Sequence, residues 1–483
     1  MFSRLPFRFT AAITATAFLA GCAVDSNPSF RDVQGRVSSR TGKGTRWIRD
    51  GADAAAAHDA TRRLLARRLT ADSAAQIAVL NNRRLQAAFE ELGIAQADFV
   101  QAGLLTNPQF SGLARFPNVS PSGTDIELSV AQDLLELLLR PVKRRIAAAD
   151  LESAKLEAAR AVLELITDTK TAFYNLQARQ QMLTRLRLIV TVNESAADLS
   201  KRQHDAGNIT DLELADEQAL YSQSRVDVAQ TEAQVRRDRE RLNRLMGVWG
   251  ADTDWKIGDK LPEIPKGEMS LTRLESKALQ QRFDVAMARQ NVLAIGLARG
   301  LRASTRYVPG GINVGVSSER DTDGQRVTGP TLDLQLPIFD QGQAALAKVD
   351  AQFRRAQDEL EATAVEARSE VREARDLLTA NRELARYYGK VLLPQRLQVV
   401  NETQLQYNAM QIRPQDLLLA KERELSVERS YIEAWRDYWI ARTELEMALE
   451  GGSPRGMAGE SGAGTGRAAS QNNQSPPRPA AAQ

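Results

Sequence analysis

One cysteine, Cys22, and two histidines, His58 and His204, are all that 483 residues contain of either type. A single thiol excludes an internal disulfide and a thiolate metal cluster. The histidines are far apart, with no carboxylate at the spacing of a metal-binding helix, so no metal centre and no cofactor is indicated. Aromatic residues are scarce, 5%, while charged residues reach 26%, a balance that suits long paired helices better than a compact enzyme. There is no phosphate-binding glycine loop and no nucleophile elbow, so a catalytic reading finds no residues to stand on. The formal charge of +3 provides no basic face for nucleic acid. No run of 18 or more apolar residues follows the N-terminal leader, so no transmembrane helix is expected. If the chain crosses a membrane, it does so with strands.

The leader fixes the compartment. Arg4 and Arg8 precede an apolar stretch, Phe9 to Ala20, too short to span a bilayer and ending in small residues, the pattern of a secretory signal over residues 1–21. Its loss brings the net charge to about +1. The stretch closes on Leu19, Ala20, Gly21 and Cys22, which resembles the bacterial lipobox, whose cysteine becomes the lipidated first residue of the mature chain. An ordinary signal with an incidental cysteine is the alternative. Ala23, where bacterial lipoproteins retained at the inner membrane commonly carry Asp, favours the outer membrane.

What is present is one pattern run twice. A long helix around Asp72 to Leu104, two short strands between Gln109 and Gln132, and helices from Pro141 to Ala206 and Thr210 to Met246 form the first half. About 200 residues later come strands near Arg306 to Ser318 and Thr328 to Ile338, then helices from Gly342 to Tyr407 and Pro414 to Leu449; a period that long marks a duplicated domain half. The expected organisation is a signal peptide (1–21), a lipidated N-terminal segment (22–71), a first repeat (72–246), a linker (247–271), a second repeat (272–450) and a disordered tail rich in Gly, Ala, Ser, Pro and Gln (451–483).

Two periodicities carry the functional content. Ala147, Leu151, Ala154, Ala158, Ala161, Leu165, Asp168 and Ala172 recur every 3.5 residues, as do Ala215, Ala219, Ser222, Val226, Ala229 and Ala233, and Val427, Tyr431, Ala434, Tyr438, Ala441, Leu445 and Ala448. That repeat is a left-handed coiled-coil seam. The helix from Pro141 would be about 95 to 100 Å long, which a solvated rod would also explain. The strands alternate with period two: Ile126, Leu128, Val130; Ile312, Val314, Val316; and Leu332, Leu334, Leu336, Ile338 are apolar, with mostly polar residues between them. One face could meet lipid and the other water, although a half-buried soluble sheet alternates in the same way. The strand from Gln109 to Phe116 alternates poorly. Turn residues lie between the members of each pair, Pro117 to Gly123 and Asp321 to Gly324, which predicts two hairpins. Four strands cannot close a barrel, and open edges are not tolerated in hydrocarbon. Membrane-inserted hairpins must therefore be pooled between chains: two copies would give a barrel filled by side chains, so a conduit favours three. Bends between strand and helix are expected at Pro141 and at Pro337 to Gly342.

The block running from Asn81 and Asn82 through Leu85, Gln86, Glu91, Leu92, Gly93, Gln101, Ala102 and Gly103 to Asn107 and Pro108 resembles the opening of the TolC-type outer membrane efflux family. Asp133, Leu134, Leu135, Leu137 to Leu139, Pro141 and Arg144 look like its strand-exit segment, and Leu336, Pro337, Ile338, Phe339, Asp340 and Gly342 are similar to the counterpart in its second half. Ala206 to Ile209 with Asp211, Leu212, Ala215 and Gln218 are similar to its helix-hairpin tip. The resemblance covers roughly Asp72 to Gly451. It implies a mixed α/β membrane protein: a homotrimer whose twelve-stranded outer-membrane β-barrel, four strands per chain, continues into a periplasmic tunnel of coiled-coil helices, with an equatorial domain near Gly247 to Leu271. It implies no enzyme, but a passive exit channel that meets a periplasmic adaptor protein and, through it, an inner-membrane transporter. By the same resemblance Gly207, Asn208, Ile209, Met410 and Gln411 are adaptor-contact candidates. Glu213 and Asp416, at equivalent positions just past the two tips, are gate candidates, since three copies of each would ring the narrow end with carboxylates. An acidic residue in the first turn of a helix is also stabilised there by the macrodipole alone. The sequence departs from the family at Ala409 and Met410, where glycine is usual, and at Arg282, Phe283, Asp284 and Val285, where Arg, Pro, Asp, Leu is common. A lipid-anchored periplasmic scaffold or adaptor without a pore is the competing reading, though adaptors of that type have one helical hairpin and a lipoyl-like domain, not a twofold repeat.

Overall fold

The computed structural model describes residues 25–116, 118, 123–265, 267, 272–308 and 311–452. The signal segment, Cys22, most of the Pro117–Gly123 turn and residues 453–483 lie outside them.

The N-terminal segment contains helices that periodicity did not reveal. Helices α1 (Asn27–Thr41) and α2 (Gly51–Leu65) precede the first repeat, and Phe30, Val33, Val37 and Trp47 are buried in the same core as Phe89, Val162 and Phe283. Arg40 reaches across to the other end of the chain, donating to the Glu450 carbonyl at 3.2 Å, with its guanidinium 3.9 Å from the centre of the Phe283 ring. The long helix expected from Asp72 to Leu104 is two, α3 (Ala71–Asn81) and α4 (Arg83–Gln101). Asn82 breaks it, because its side chain accepts from the Arg84 and Leu85 amides and so caps the second piece.

Strands β1 (Gln109–Arg115) and β2 (Asp125–Asp133) follow, then α5 (Leu134–Asp205), 72 residues and about 108 Å long. Here an expectation is corrected. Pro141 does not mark the junction, since the helix begins at Leu134, where the Asp133 carboxylate accepts from the Leu135 and Glu136 amides. Pro141 lies within the helix, at the cost of one ladder bond to the Leu137 carbonyl. Helix α6 (Asp211–Met246) returns antiparallel to α5. A linker with a short 3₁₀ turn at Gly250–Thr253 and the buried Trp255 leads to α7 (Leu274–Gln281) and α8 (Phe283–Thr305).

The second half repeats the plan: β3 (Ile312–Arg320), β4 (Arg326–Leu334), α9 (Gln343–Tyr387), a π-helical turn over Tyr388–Leu392, α10 (Leu393–Asn408) and α11 (Pro414–Glu450). β4 stops four residues before the predicted Ile338, and Gly342, in the left-handed conformation, opens α9. Gly389 sits in the π turn, where a Cβ would lie 3.0 to 3.1 Å from the Tyr431 side chain, so any larger residue would require that ring to give way.

The seams need a second correction. In α5 Leu151, Ala158 and Ala172 of the predicted stripe are buried, but its other members are only partly covered, and the unbroken buried line, Ala159, Val162, Ile166, Thr169, Phe173 and Leu176, runs one residue round from it. In α6 the predicted residues Ala215, Ala219, Ser222, Val226 and Ala229 are exposed; the side turned to the chain's own helices holds Leu214, Tyr221, Ser224, Val228 and Val235. The α11 stripe holds as predicted, with Ala434, Tyr438, Ala441, Leu445 and Ala448 buried. The linker is pinned to it by Trp435 and Trp439, whose indole N–H groups both donate to the Pro262 carbonyl, at 2.8 and 2.9 Å.

Candidate functional site

The candidate residues fall in two places, the sheet at one end of the long helices and the hairpin tips at the other. The four strands form one antiparallel sheet in the order β1-β2-β3-β4. Its register puts Phe110, Ala114, Ile126, Leu128, Val130, Val314, Val316, Leu332 and Leu334 on one face, since Phe110 pairs with Val130, Val130 with Val316 and Val314 with Leu332. Ser111, Arg115, Asp125, Glu127, Ser129, Asn313, Ser317, Glu319 and Asp333 share the other. The poor alternation of β1 is resolved by its neighbours, because Gly112 and Ala114 stand beside Leu128 and Ile126. The polar face is cross-linked by Ser111 Oγ to Ser129 Oγ, 2.6 Å, and by Arg115 to Asp125, 2.8 Å. The large side chains of the apolar face, Phe110, Ile126, Leu128, Val130, Val314, Val316, Leu332 and Leu334, are exposed in the single chain. Among the described residues, neither edge, β1 nor β4, has a partner strand.

The two tips are the same turn built from different residues. In the first, Gly207 is left-handed at φ +74° and the Asn208 amide donates to Gln203 O at 2.8 Å. In the second, Met410 holds that position at φ +56°, with the Gln411 amide on Gln406 O at 3.0 Å. The shape left open by the absent glycine is therefore retained, with a side chain that is 94% exposed. Ile209 is partly covered, while Gly207, Asn208 and Gln411 are exposed. The first turn also carries a contact between His204 Nε2 and Asp211 Oδ1, 2.6 Å.

The gate candidates occupy equivalent capping positions. Glu213 accepts from the Thr210 amide at 2.9 Å and from its hydroxyl at 3.0 Å. Asp416 accepts from the Arg413 amide at 3.2 Å, with the Arg413 guanidinium 3.7 Å away. The two bonds from Thr210 hold the Glu213 carboxyl below its ordinary value, and Arg413 of the other tip adds to the effect. Sequence reasoning passed over a third acid nearby: burial pushes Glu217 up, reinforced by Glu422 of α11 and by Asp216. It also named Arg282 only as part of a segment that departs from the family. That side chain, 1% exposed, binds Asp284 at 2.6 Å, Glu370 at 2.7 Å and the Ala448 carbonyl at 3.2 Å, joining the start of α8 to α9 and α11.

Known proteins share this arrangement. The chain is 22% identical over 386 residues to the cobalt-zinc-cadmium resistance protein CzcC of Cupriavidus metallidurans, covering 79% of this chain and 90% of that protein. Its fold matches the CmeC outer membrane channel of Campylobacter jejuni, with a TM-score of 0.68 and 14% identity over 80% of this chain and 86% of that one. It also matches the outer membrane protein VceC of Vibrio cholerae, with a TM-score of 0.66 and 17% identity over 79% of this chain and 96% of that one. Residues 74–248 match the outer membrane efflux protein family model.

Proposed function

We propose that the chain is the outer-membrane exit channel of a tripartite efflux or secretion system, a passive homotrimer that an adaptor joins to an inner-membrane transporter supplying the energy. One observation carries this reading: a four-stranded sheet with two open edges and one face that is apolar over most of its length, giving way to Ser318, Thr328, Arg320 and Arg326 at the end away from the helices, in a chain among whose described residues no helix is long and apolar enough to cross a membrane. Such a sheet is stable in hydrocarbon only when its edges are paired, and three copies joined edge to edge give twelve strands. The exposed small-residue stripe of α6 supports the same arrangement, since it offers a second seam to a helix of a neighbouring subunit.

In this reading residues 72–246 and 272–450 are the two repeats and 247–271 the equatorial linker, while residues 1–21 are removed, Cys22 anchors the segment 22–71 to outer-membrane lipid and 451–483 is a tail. The long helices stand in the periplasm. Gly207, Asn208, Ile209, Met410 and Gln411 face the adaptor. Glu213 and Asp416 line the narrow end, where fixed carboxylates favour cations and ion pairs resist opening. Single-channel recording in planar bilayers tests the proposal: a conduit gives discrete conductance steps, whereas an anchored scaffold without a pore gives none.

A further inference from the structure

The segments that enter and leave the sheet at its helical end are complementary, one on each open edge. On the β1 side, the residues leading into the strand form, with the end of β2 and the start of α5, a groove of about 910 Å³ lined by Leu104, Leu105, Pro108, Gln132, Leu137 and Arg140. Its floor is fixed, because Gln132 Nε2 donates to the Thr106 carbonyl at 2.9 Å and Glu136 holds both Thr106 Oγ1 and Lys143. Leu104, Leu105 and Leu137 are exposed within it.

On the β4 side, the chain passes from Leu334 to α9 through a bend set by its own atoms: the Ile338 amide donates to Leu336 O at 2.9 Å and the Gly342 amide to Asp340 Oδ1 at 2.8 Å. This bend presents Leu336, Ile338 and Phe339 to solvent, Phe339 being 93% exposed. An ordered cluster of large apolar side chains left in water marks a contact surface.

The chain itself shows how an exit and an entry meet. At the β2–β3 boundary the Ile312 amide, at the start of β3, lies 3.4 Å from Asp133 Oδ1, at the end of β2. The same antiparallel step from β4 to the β1 of a second copy brings 335–341 of one chain against 103–108 of the next. We infer that Phe339, with Ile338, of one copy inserts into the groove of Leu104, Leu105 and Leu137 on the next, a head-to-tail lock at the base of the sheet. A heterologous contact of this kind closes a ring when the rotation between copies closes, as three sheets joined edge to edge would require. The inference rests on the edge-to-edge reading proposed above.

The test joins Phe339→Cys and Leu105→Cys in one full-length chain, extracted in mild detergent and oxidised, while the particle mass of the unaltered protein is measured in parallel. Disulfide-linked dimers and trimers are expected from the double variant and from neither single one. A trimeric mass without cross-linking overturns the lock and leaves the barrel reading standing; a monomeric mass overturns both. Phe339→Ala gives an independent measure. About tenfold more dissociated subunit at equal concentration is expected, equivalent to about 1.4 kcal/mol, with helix content unchanged, and unaltered dissociation overturns the lock. Phospholipid that co-purifies, is displaced by Leu105→Trp and accompanies an absence of cross-links would assign the groove to lipid, against the inference.

Discussion

Gly207 and Met410 occupy the same left-handed position of two equivalent turns, and only one of them is suited to it. A side chain at positive φ costs about 1 to 2 kcal/mol that glycine avoids, partly offset by the larger entropy glycine loses on folding. Gly207→Ala is expected to loosen the first tip by about 1 kcal/mol, and Met410→Gly to tighten the second by less than that. Hydrogen exchange at the Asn208 and Gln411 amides, which close these turns, reads both changes; faster exchange of Gln411 in Met410→Gly would contradict the assignment of strain.

Glu213 serves two ends, capping and charge, that substitution can separate. Glutamine at the third position of a helix still completes a capping box, so Glu213→Gln keeps the turn and removes the charge, whereas Glu213→Ala removes both. If carboxylates brake the channel, the Gln variant alone raises open probability in planar bilayers, and more so combined with Asp416→Asn. Equal conductance in Gln, Ala and unaltered protein would confine these residues to capping. The Glu213 carboxyl titrates lower in the folded chain than in the unfolded one. Its contribution is therefore present at neutral pH and lost as pH falls through that lowered value, so fraying of the first turn of α6 should increase only in acid.

Glu217 predicts the opposite pH response. Its folded value is raised, so the fold around Glu217 is favoured below the ordinary glutamate range and loses that contribution as pH rises through the raised value. Glu217→Gln should slow proteolysis near the tips at neutral pH and leave it unchanged in acid. Equal protection at both pH values would show that neither burial nor the charges of Glu422 and Asp216 bear on it.

Arg282 should be the least replaceable cation in the helical part. Removing one member of a buried, hydrogen-bonded ion network costs about 3 to 5 kcal/mol, and Arg282→Ala leaves Asp284, Glu370 and the Ala448 carbonyl without it. A large drop in unfolding temperature is expected, only partly restored by Lys, which cannot reproduce the forked geometry. A change of under about 1 kcal/mol, the range of surface pairs, would mean that the network contributes little.

The two faces of the sheet should respond differently to charge. Leu128→Arg and Val316→Arg place a cation where lipid is proposed, which costs about 2 to 4 kcal/mol near a bilayer midplane, while Ser129→Arg lies on the opposite face. Membrane fractionation should show the first two failing to assemble in the outer membrane and the third assembling with altered conductance. Equal assembly of all three would speak against an inserted sheet.

The features legible in the sequence were those with a strong local signature. Period-two alternation found β2, β3 and most of β4, and Asp321 to Gly324 marked the second turn, where the Gly324 amide does donate to Asp321 O, 2.9 Å. The Thr210-x-x-Glu213 spacing is a capping box readable by eye, while the same role for Asp416 needed the repeat to suggest it. Seam phase was harder. Helices this rich in alanine offer two plausible stripes, and packing on neighbouring helices, which sequence does not display, decides which is buried in one chain. Phe30, Val33 and Val37 are spaced three and four, yet sit among polar residues in too short a segment to stand out. The role of Arg282 was not legible because its carboxylate Glu370 and the Ala448 carbonyl come from distant parts of the chain.

The π-helical turn at Tyr388–Leu392 has a counterpart nowhere in α5, which runs unbroken to the first tip. One surplus residue in the turn advances the phase of everything beyond it by roughly 100°, so α10 presents a different set of side chains to its surroundings than a straight continuation of α9 would. The duplicated halves thus diverge towards their far ends, and any ring of proteins seated there must recognise two kinds of knuckle in alternation rather than one kind repeated.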